Sequence, residues 1–216
     1  MKVRFISLAA LCLCLLGPAV HAQTTKGSFL LGGSLGFSSD KDKVSYSSSA
    51  FNYESKSTTF SFRPSISYFV IDHLSVGVIT PLSYTKIKVE DQQSTSTTYS
   101  IGPVVRYYFP LGDQWAVFPE VAYTYGWNWT KSPYFIPTSG SIENLQVNGT
   151  THIFQGGVGL VYFLNPSIGI EGKVYYQSST DSYDRGKRTG TIQTGNDLTS
   201  FNFNVGLQIY FARNAK

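Results

Sequence analysis

Five ionisable side chains stand where chemistry or ion movement could be built: Arg63, Arg106, Glu120, Glu171 and Lys173. Each sits in a run where apolar and polar residues alternate, and each belongs to the polar set, with Gly, Ser, Asn and Gln. Charges of both signs gathered in one enclosed space must pair, because an unpaired buried ion loses several kcal/mol of hydration. Such a group serves either as a polar plug or as the lining of an ion-conducting path. Glu171 and Lys173, two residues apart, share one face of an extended chain and can join Arg63. If the hairpin carrying Arg106 and Glu120 is symmetric about its turn, Val104 lies opposite Glu120 and Arg106 reaches the carboxylate diagonally.

Nucleophilic chemistry has thinner support. It needs a hydroxyl or thiol beside an activating base. His73-Leu-Ser75 has a suggestive spacing but falls in a short turn, and His152 has no serine and carboxylate assignable to it. Cys12 and Cys14 both lie in an N-terminal leader. No glycine-rich phosphate loop precedes a helix, and no His/Cys/Asp/Glu set has metal spacing. We therefore expect no catalytic, cofactor or metal residues. Gly32-Gly33 and Gly156-Gly157-Val-Gly159 read as strand glycines that relieve crowding.

The elements that must position these charges have period two. In the last segment Phe201, Phe203, Val205, Leu207, Ile209 and Phe211 alternate with Asn202, Asn204, Gly206, Gln208 and Tyr210. A pleated strand sends each set to one face, whereas a helix would scatter both. Similar runs begin near residues 28, 60, 74, 99, 115, 154 and 168, so eight strands are expected. Closure of eight strands would leave no unpaired edge. Pro64, Pro103 and Pro119 fall within strands and lack a ladder donor, so gaps or bulges are expected beside them.

Lys2 and Arg4, the apolar run Phe5 to Leu16 and the small-residue end Ala19-Val20-His21-Ala22 read as a secretory signal peptide over residues 1–22. Its apolar run is shorter than the ~20 residues a helix needs to span a bilayer. A single domain then covers residues 23–216. Without Lys2 and Arg4 the balance is fifteen basic to thirteen acidic residues, a net +2, which is not the charge of a nucleic-acid binder. Past residue 22 no apolar stretch reaches helical spanning length, so insertion must be by strands.

The connections alternate in length. Val70 to His73, Pro110 to Gln114 and Asn165 to Ser167 are short; residues 38–57, 86–97, 128–151 and 178–198 read as long, polar loops, rich in segments such as Ser47-Ser48-Ser49 and Asp181 to Thr191. That alternation is what a membrane barrel with both termini in the periplasm shows. Tyr68-Phe69, Tyr108-Phe109, Tyr162-Phe163 and Tyr210-Phe211 end alternate strands at the short-turn side, and Tyr84, Tyr99, Tyr125, Trp127 and Trp129 suit a second belt. Lipid on the apolar face also explains the charge pattern, since an outward Arg or Lys at the bilayer midplane costs about 2–4 kcal/mol.

On these features the chain resembles the small OmpA/OmpX-type outer-membrane barrels, with signal peptide, eight alternating strands, three short turns and four long loops. The resemblance spans residues 23–216 and implies an all-β, eight-stranded antiparallel up-and-down barrel in a bacterial outer membrane. Its most specific motif is the closing strand, where Val205, Leu207, Ile209 and Phe211 are similar to the aromatic-ended signal read by the barrel assembly machinery. The tail Ala212 to Lys216 departs from that pattern. Outer-membrane lipid and the assembly machinery are the implied partners. The role is expected to be structural or adhesive, through the loops and an unidentified extracellular ligand. A narrow pore for small or apolar solutes, a lipid A-modifying enzyme and a soluble lipocalin-like barrel stand as alternatives.

Overall fold

In the computed structural model, residues 24–45, 52–89, 92–136, 141–184 and 195–211 are described. The expected signal peptide over residues 1–22, Ser47-Ser48-Ser49, residues 185–191 of the Asp181 to Thr191 stretch and the tail Ala212 to Lys216 lie outside them. The described chain is β-structure joined by turns. Strand β1 is Phe29–Ser45 and β2 is Asn52–Ile71; β3 runs in two pieces, Leu74–Ile79 and Leu82–Val89, and β4 likewise in Gln92–Tyr107 and Phe109–Leu111. β5 is Trp115–Ile136, β6 Ser141–Asn165, β7 Ile168–Asp184 and β8 Gly195–Phe211. Each pairs antiparallel with its neighbour in sequence, and β1 also pairs with β8 from Phe29↔Phe211 to Gly36↔Asn204, which closes the ring.

The alternating sets go where hydration dictates. Phe62, Ile66, Ile101, Val121, Val174, Leu207 and their neighbours in the apolar sets stand outward, with about half their surface open, while Ser34, Arg63, Glu120, Asn204 and Gln208 are buried inside. A soluble barrel would invert this arrangement, filling itself with the Phe/Val/Leu set and wetting the charges. The apolar exterior forms a continuous wall that only lipid can cover without a hydrophobic penalty.

Two readings change. The four long connections are largely paired strand rather than loop: Ser38–Ser45 pairs with Asn52–Thr59, Lys86–Val89 with Gln92–Thr95, Asn128–Ile136 with Ser141–Gly149, and Ser178–Ser182 with Gly195–Thr199. Ser- and Thr-rich segments alternate too weakly in hydropathy to announce a strand, yet their backbones continue the ladder already set by the barrel. The strands reach 25 residues, against the ~9–11 that cross a bilayer. The short β4–β5 turn is also tighter than the sequence suggested. Leu111 pairs with Trp115, leaving Gly112-Asp113-Gln114 as the turn, with Gly112 at φ 74° in the left-handed region. The register therefore shifts by two residues.

The strand prolines sit at ladder gaps, as expected. Pro64 faces the interruption of β3 at Thr80-Pro81, bridged by Thr80 N–H donating to the Pro64 carbonyl at 2.9 Å. The β4–β5 ladder skips Gly102-Pro103, and on the β4 side of Pro119 it stops at Arg106↔Glu120 and resumes at Phe109↔Val117. At the β2–β3 turn, His73 takes a positive φ of 68°, held by its N–H to the Thr24 carbonyl at 2.6 Å and by Thr24 Oγ1 against its ring Nδ1 at 2.9 Å.

Candidate functional site

Because inward positions recur at every second residue, the strands deliver one set of side chains to the lumen at each height. Arg63, Arg106, Glu120, Glu171 and Lys173 converge there, each no more than 4% exposed. Arg106 and Glu120 are directly opposite in the β4–β5 register, so the contact the sequence placed on a diagonal is a face-to-face pair. The shorter turn is the reason. Arg106 Nε donates to Glu120 Oε2, and its Nη1 donates to Glu171 Oε2 at 2.9 Å. Lys173 Nζ donates to Glu120 Oε1 at 2.5 Å. Arg63 stands 3.9 Å from the same oxygen and donates through Nη2 to Gln155 Oε1 at 2.5 Å, which links on to Gln177 at 2.7 Å.

Glu120 is thus the hub, taking all three cations, and Glu171 shares Arg106. Three cations against two carboxylates leave the cluster at a net +1. Aromatic faces carry part of that excess: the Arg63 guanidinium lies 4.6 Å from the Tyr175 ring centroid and that of Arg106 4.9 Å from Phe118, each such contact adding about 1–2 kcal/mol where water is absent.

Below the charges, toward the short-turn end, lies a layer that the sequence reading missed. Of the doublets Tyr68-Phe69, Tyr108-Phe109, Tyr162-Phe163 and Tyr210-Phe211, the outward rings suit a belt, but Phe69, Tyr108, Phe163 and Tyr210 turn inward and are buried. With Phe118 they make a floor, its ring centroids 5.3 to 6.4 Å apart, completed by Leu30, Ala116 and Val161. The signal was present: consecutive aromatics on a strand cannot both face lipid, and four doublets at one height must send four rings inside. Gly159 makes room, since a Cβ there would lie 2.3 Å from Phe118 Cζ of the residue it pairs with.

The other candidates are kept apart. His73 is committed to its turn with Thr24, while Ser75 is buried in the wall. His152 faces outward at the far end of the barrel, its Nδ1 2.7 Å from Tyr123 Oη and its ring 4.9 Å from Tyr125. Val205, Leu207, Ile209 and Phe211 form an outward row on β8, at the seam where Phe211 pairs with Phe29. The lumen is thus filled by side chains at two heights, the charge network and the aromatic floor.

A model of the outer membrane protein beta-barrel domain family matches residues 8–211. Curated protein sequences yield no match. Among solved structures the chain is similar to the outer membrane protein OprG from Pseudomonas aeruginosa, at 13% identity and a TM-score of 0.51, covering 88% of this chain and 98% of that one. It is also similar to the outer membrane protein W of E. coli, at 15% identity and TM-score 0.45 over 88% and 99% of the two chains. Neisserial surface protein A is 18% identical, with a TM-score of 0.41 over 85% and 97%. At these identities the likeness is one of fold.

Proposed function

Given that this chain belongs to the outer membrane protein beta-barrel domain family, we propose that it is a closed surface barrel, fixed in the outer membrane with both termini in the periplasm, that carries four long β-hairpins into the medium to meet partners there. The observation that carries this reading is the lumen, sealed by the ion network stacked on an aromatic floor. A sealed lumen leaves the hairpins as the working surface, and their Ser-, Thr- and Tyr-bearing strands offer hydrogen-bonding edges. The outward row Val205, Leu207, Ile209 and Phe211 serves the barrel assembly machinery in this reading, and lipid covers the wall. An epitope inserted between Ile136 and Ser141 should label on intact cells. Labelling only after the outer membrane is permeabilised would reverse the orientation.

A narrow pore for small or apolar solutes is the second reading. Ser100, Thr124 and Asn128 Oδ1 are buried without a protein partner on the β4–β5 wall, and such atoms call for water. Planar-bilayer recording separates the two. The wild-type barrel should show no steady conductance, and Arg106→Ala should lower the unfolding temperature by roughly 6–20 °C, because it strands buried carboxylates. If Arg106→Ala instead raises single-channel conductance and leaves that temperature alone, the plug role fails.

A further inference from the structure

Above the ion network the lumen changes character. Arg63 is a crossbar: it leaves β2 and its Nη2 donates to Gln155 Oε1 on β6, four strands away in the ring of eight and so on the opposite wall. Its guanidinium rests on the Tyr175 ring of β7. The inward positions just above it are small and polar. On β2 the next one is Ser61, paired with Ser83 of β3; on β7 it is Gln177, and Asn202 of β8 pairs with Tyr175. Thr124 of β5 pairs with Ile153, the inward residue above Gln155, and Ser100 of β4 pairs with Gly126, the one above Thr124. Ser61, Ser83, Gln177 and Asn202 are half-buried, whereas Arg63 beneath them is 3% exposed. The aromatic floor closes the other end, so solvent reaches these four from the hairpin side. The upper lumen is a cup with Arg63 at its base.

The bonding capacity of that base is only partly used. Among the described residues Arg63 Nε is buried with no partner, and the acceptor its Nη2 holds is the neutral Gln155 amide, at 2.5 Å. Glu120 stands 3.9 Å off, its two oxygens already taken by Arg106 and Lys173. A carboxylate fills an arginine fork with two parallel bonds, each about twice as strong as a bond to a neutral acceptor. On the wall, Ser100 Oγ and Thr124 Oγ1 are buried without a partner as well. Polar atoms left so are rare in a folded chain, and here they flank the one guanidinium of the network that holds no carboxylate within hydrogen-bonding distance. Water could serve the hydroxyls, but it brings no negative charge to the fork. Asp181 also faces inward by parity, three inward positions above Tyr175, at the mouth of the cup rather than its base.

We propose that this cup binds a small hydroxylated monocarboxylate, a sugar acid or hydroxy acid, that enters from the hairpin end. Its carboxylate displaces Gln155 Oε1 and accepts from Arg63 Nε and Nη2 together, while Gln155 keeps its bond to Gln177. The Tyr175 ring against the guanidinium fixes the plane of the fork. The ligand's hydroxyls meet Ser100 and Thr124 on one wall and Ser61 and Gln177 on the others. A single negative charge balances the +1 of the network; a neutral sugar would leave the fork unfilled. Binding there requires no passage across the floor, so it is independent of conduction.

The test titrates glucuronate by calorimetry into the folded full-length barrel in detergent micelles, in a buffer low in chloride. Saturable one-to-one binding is expected, with glucose and the methyl ester of glucuronic acid weaker by about ten-fold or more, the factor lost with a charge-assisted hydrogen bond. Gln155→Glu sets a carboxylate on the fork from within. It should weaken binding by a similar factor while the barrel resists unfolding at least as well as the wild type, since the lumen charges then sum to zero. Arg63→Gln should weaken binding likewise. Thr124→Val keeps the shape of the wall and should weaken glucuronate about three- to ten-fold while leaving acetate unchanged. Absence of saturable glucuronate binding, or wild-type affinity in Gln155→Glu, overturns the site. Acetate or chloride binding as tightly as glucuronate overturns the commitment to a hydroxylated acid. Micelles leave both ends of the barrel open to solute, so the result is independent of orientation, which the cell-surface epitope decides separately. Heat-modifiable gel migration of each variant confirms that the barrel has formed.

Discussion

Glu120→Gln is expected to destabilise the barrel by about 3–5 kcal/mol, the cost of leaving buried cations without their carboxylate. Glu120 accepts from Arg106 and Lys173 and faces Arg63, so its neutralisation raises the enclosed charge from +1 to +2 among side chains shielded from bulk solvent. Glutamine keeps the shape and one acceptor, but its NH2 group then faces one of the two donors, Arg106 Nε or Lys173 Nζ, so the loss combines the charge with one hydrogen bond. The measurement is urea-induced unfolding in detergent or lipid, followed by heat-modifiable migration. Adding Lys173→Met should recover a large part of the loss, since the remaining Arg63, Arg106 and Glu171 return to +1, with a coupling energy of about 0.5–3 kcal/mol between the two sites. Simple additivity of the two losses would show that the network is a set of independent contacts.

Phe118→Ala should cost about 3–5 kcal/mol by removing one of the five rings of the floor. Phe118 is fully buried, packs on Tyr108 at 5.3 Å and lies beneath the Arg106 guanidinium, so the substitution also removes a ring that helps to hold the excess positive charge. Its partner in register, Gly159, has no side chain because the Phe118 ring occupies that volume. Gly159→Val alone should therefore be destabilising, by about 1–3 kcal/mol of overpacking. In the Phe118→Ala background the same valine fills vacated space and should be neutral or restorative. Opposite signs for one substitution in two backgrounds, measured by unfolding, identify the floor as a packed layer; a valine that is equally harmful in both would mean that the backbone, not the ring, excludes it.

The two predictions concern layers of one lumen that differ in how far the chain announces them. That Arg63, Arg106, Glu120, Glu171 and Lys173 share an interior followed from strand parity alone, because a residue's face is fixed by counting in twos from its neighbours. Which carboxylate serves which cation did not follow. The hub position of Glu120 depends on strands β2, β4, β5 and β7 meeting at one height, and height is a matter of register. In β4–β5 the register turned on whether Pro110-Leu111 belonged to the turn or to the ladder, and the left-handed Gly112 placed them in the ladder.

The sequence by itself determined the local, two-residue facts: eight alternating runs, the apolar face, the polar face, the positions of the short turns and the strand prolines that interrupt the ladder. Those rest on pleat geometry and hydration, which act between a residue and its nearest neighbours along the chain. The tertiary structure alone decided the heights at which distant strands align, how far the ladders run past the apolar belt, and that the inward rings of the four aromatic doublets meet as one layer. Closing a ring makes each strand's offset depend on those of its neighbours, so no segment carries that information alone.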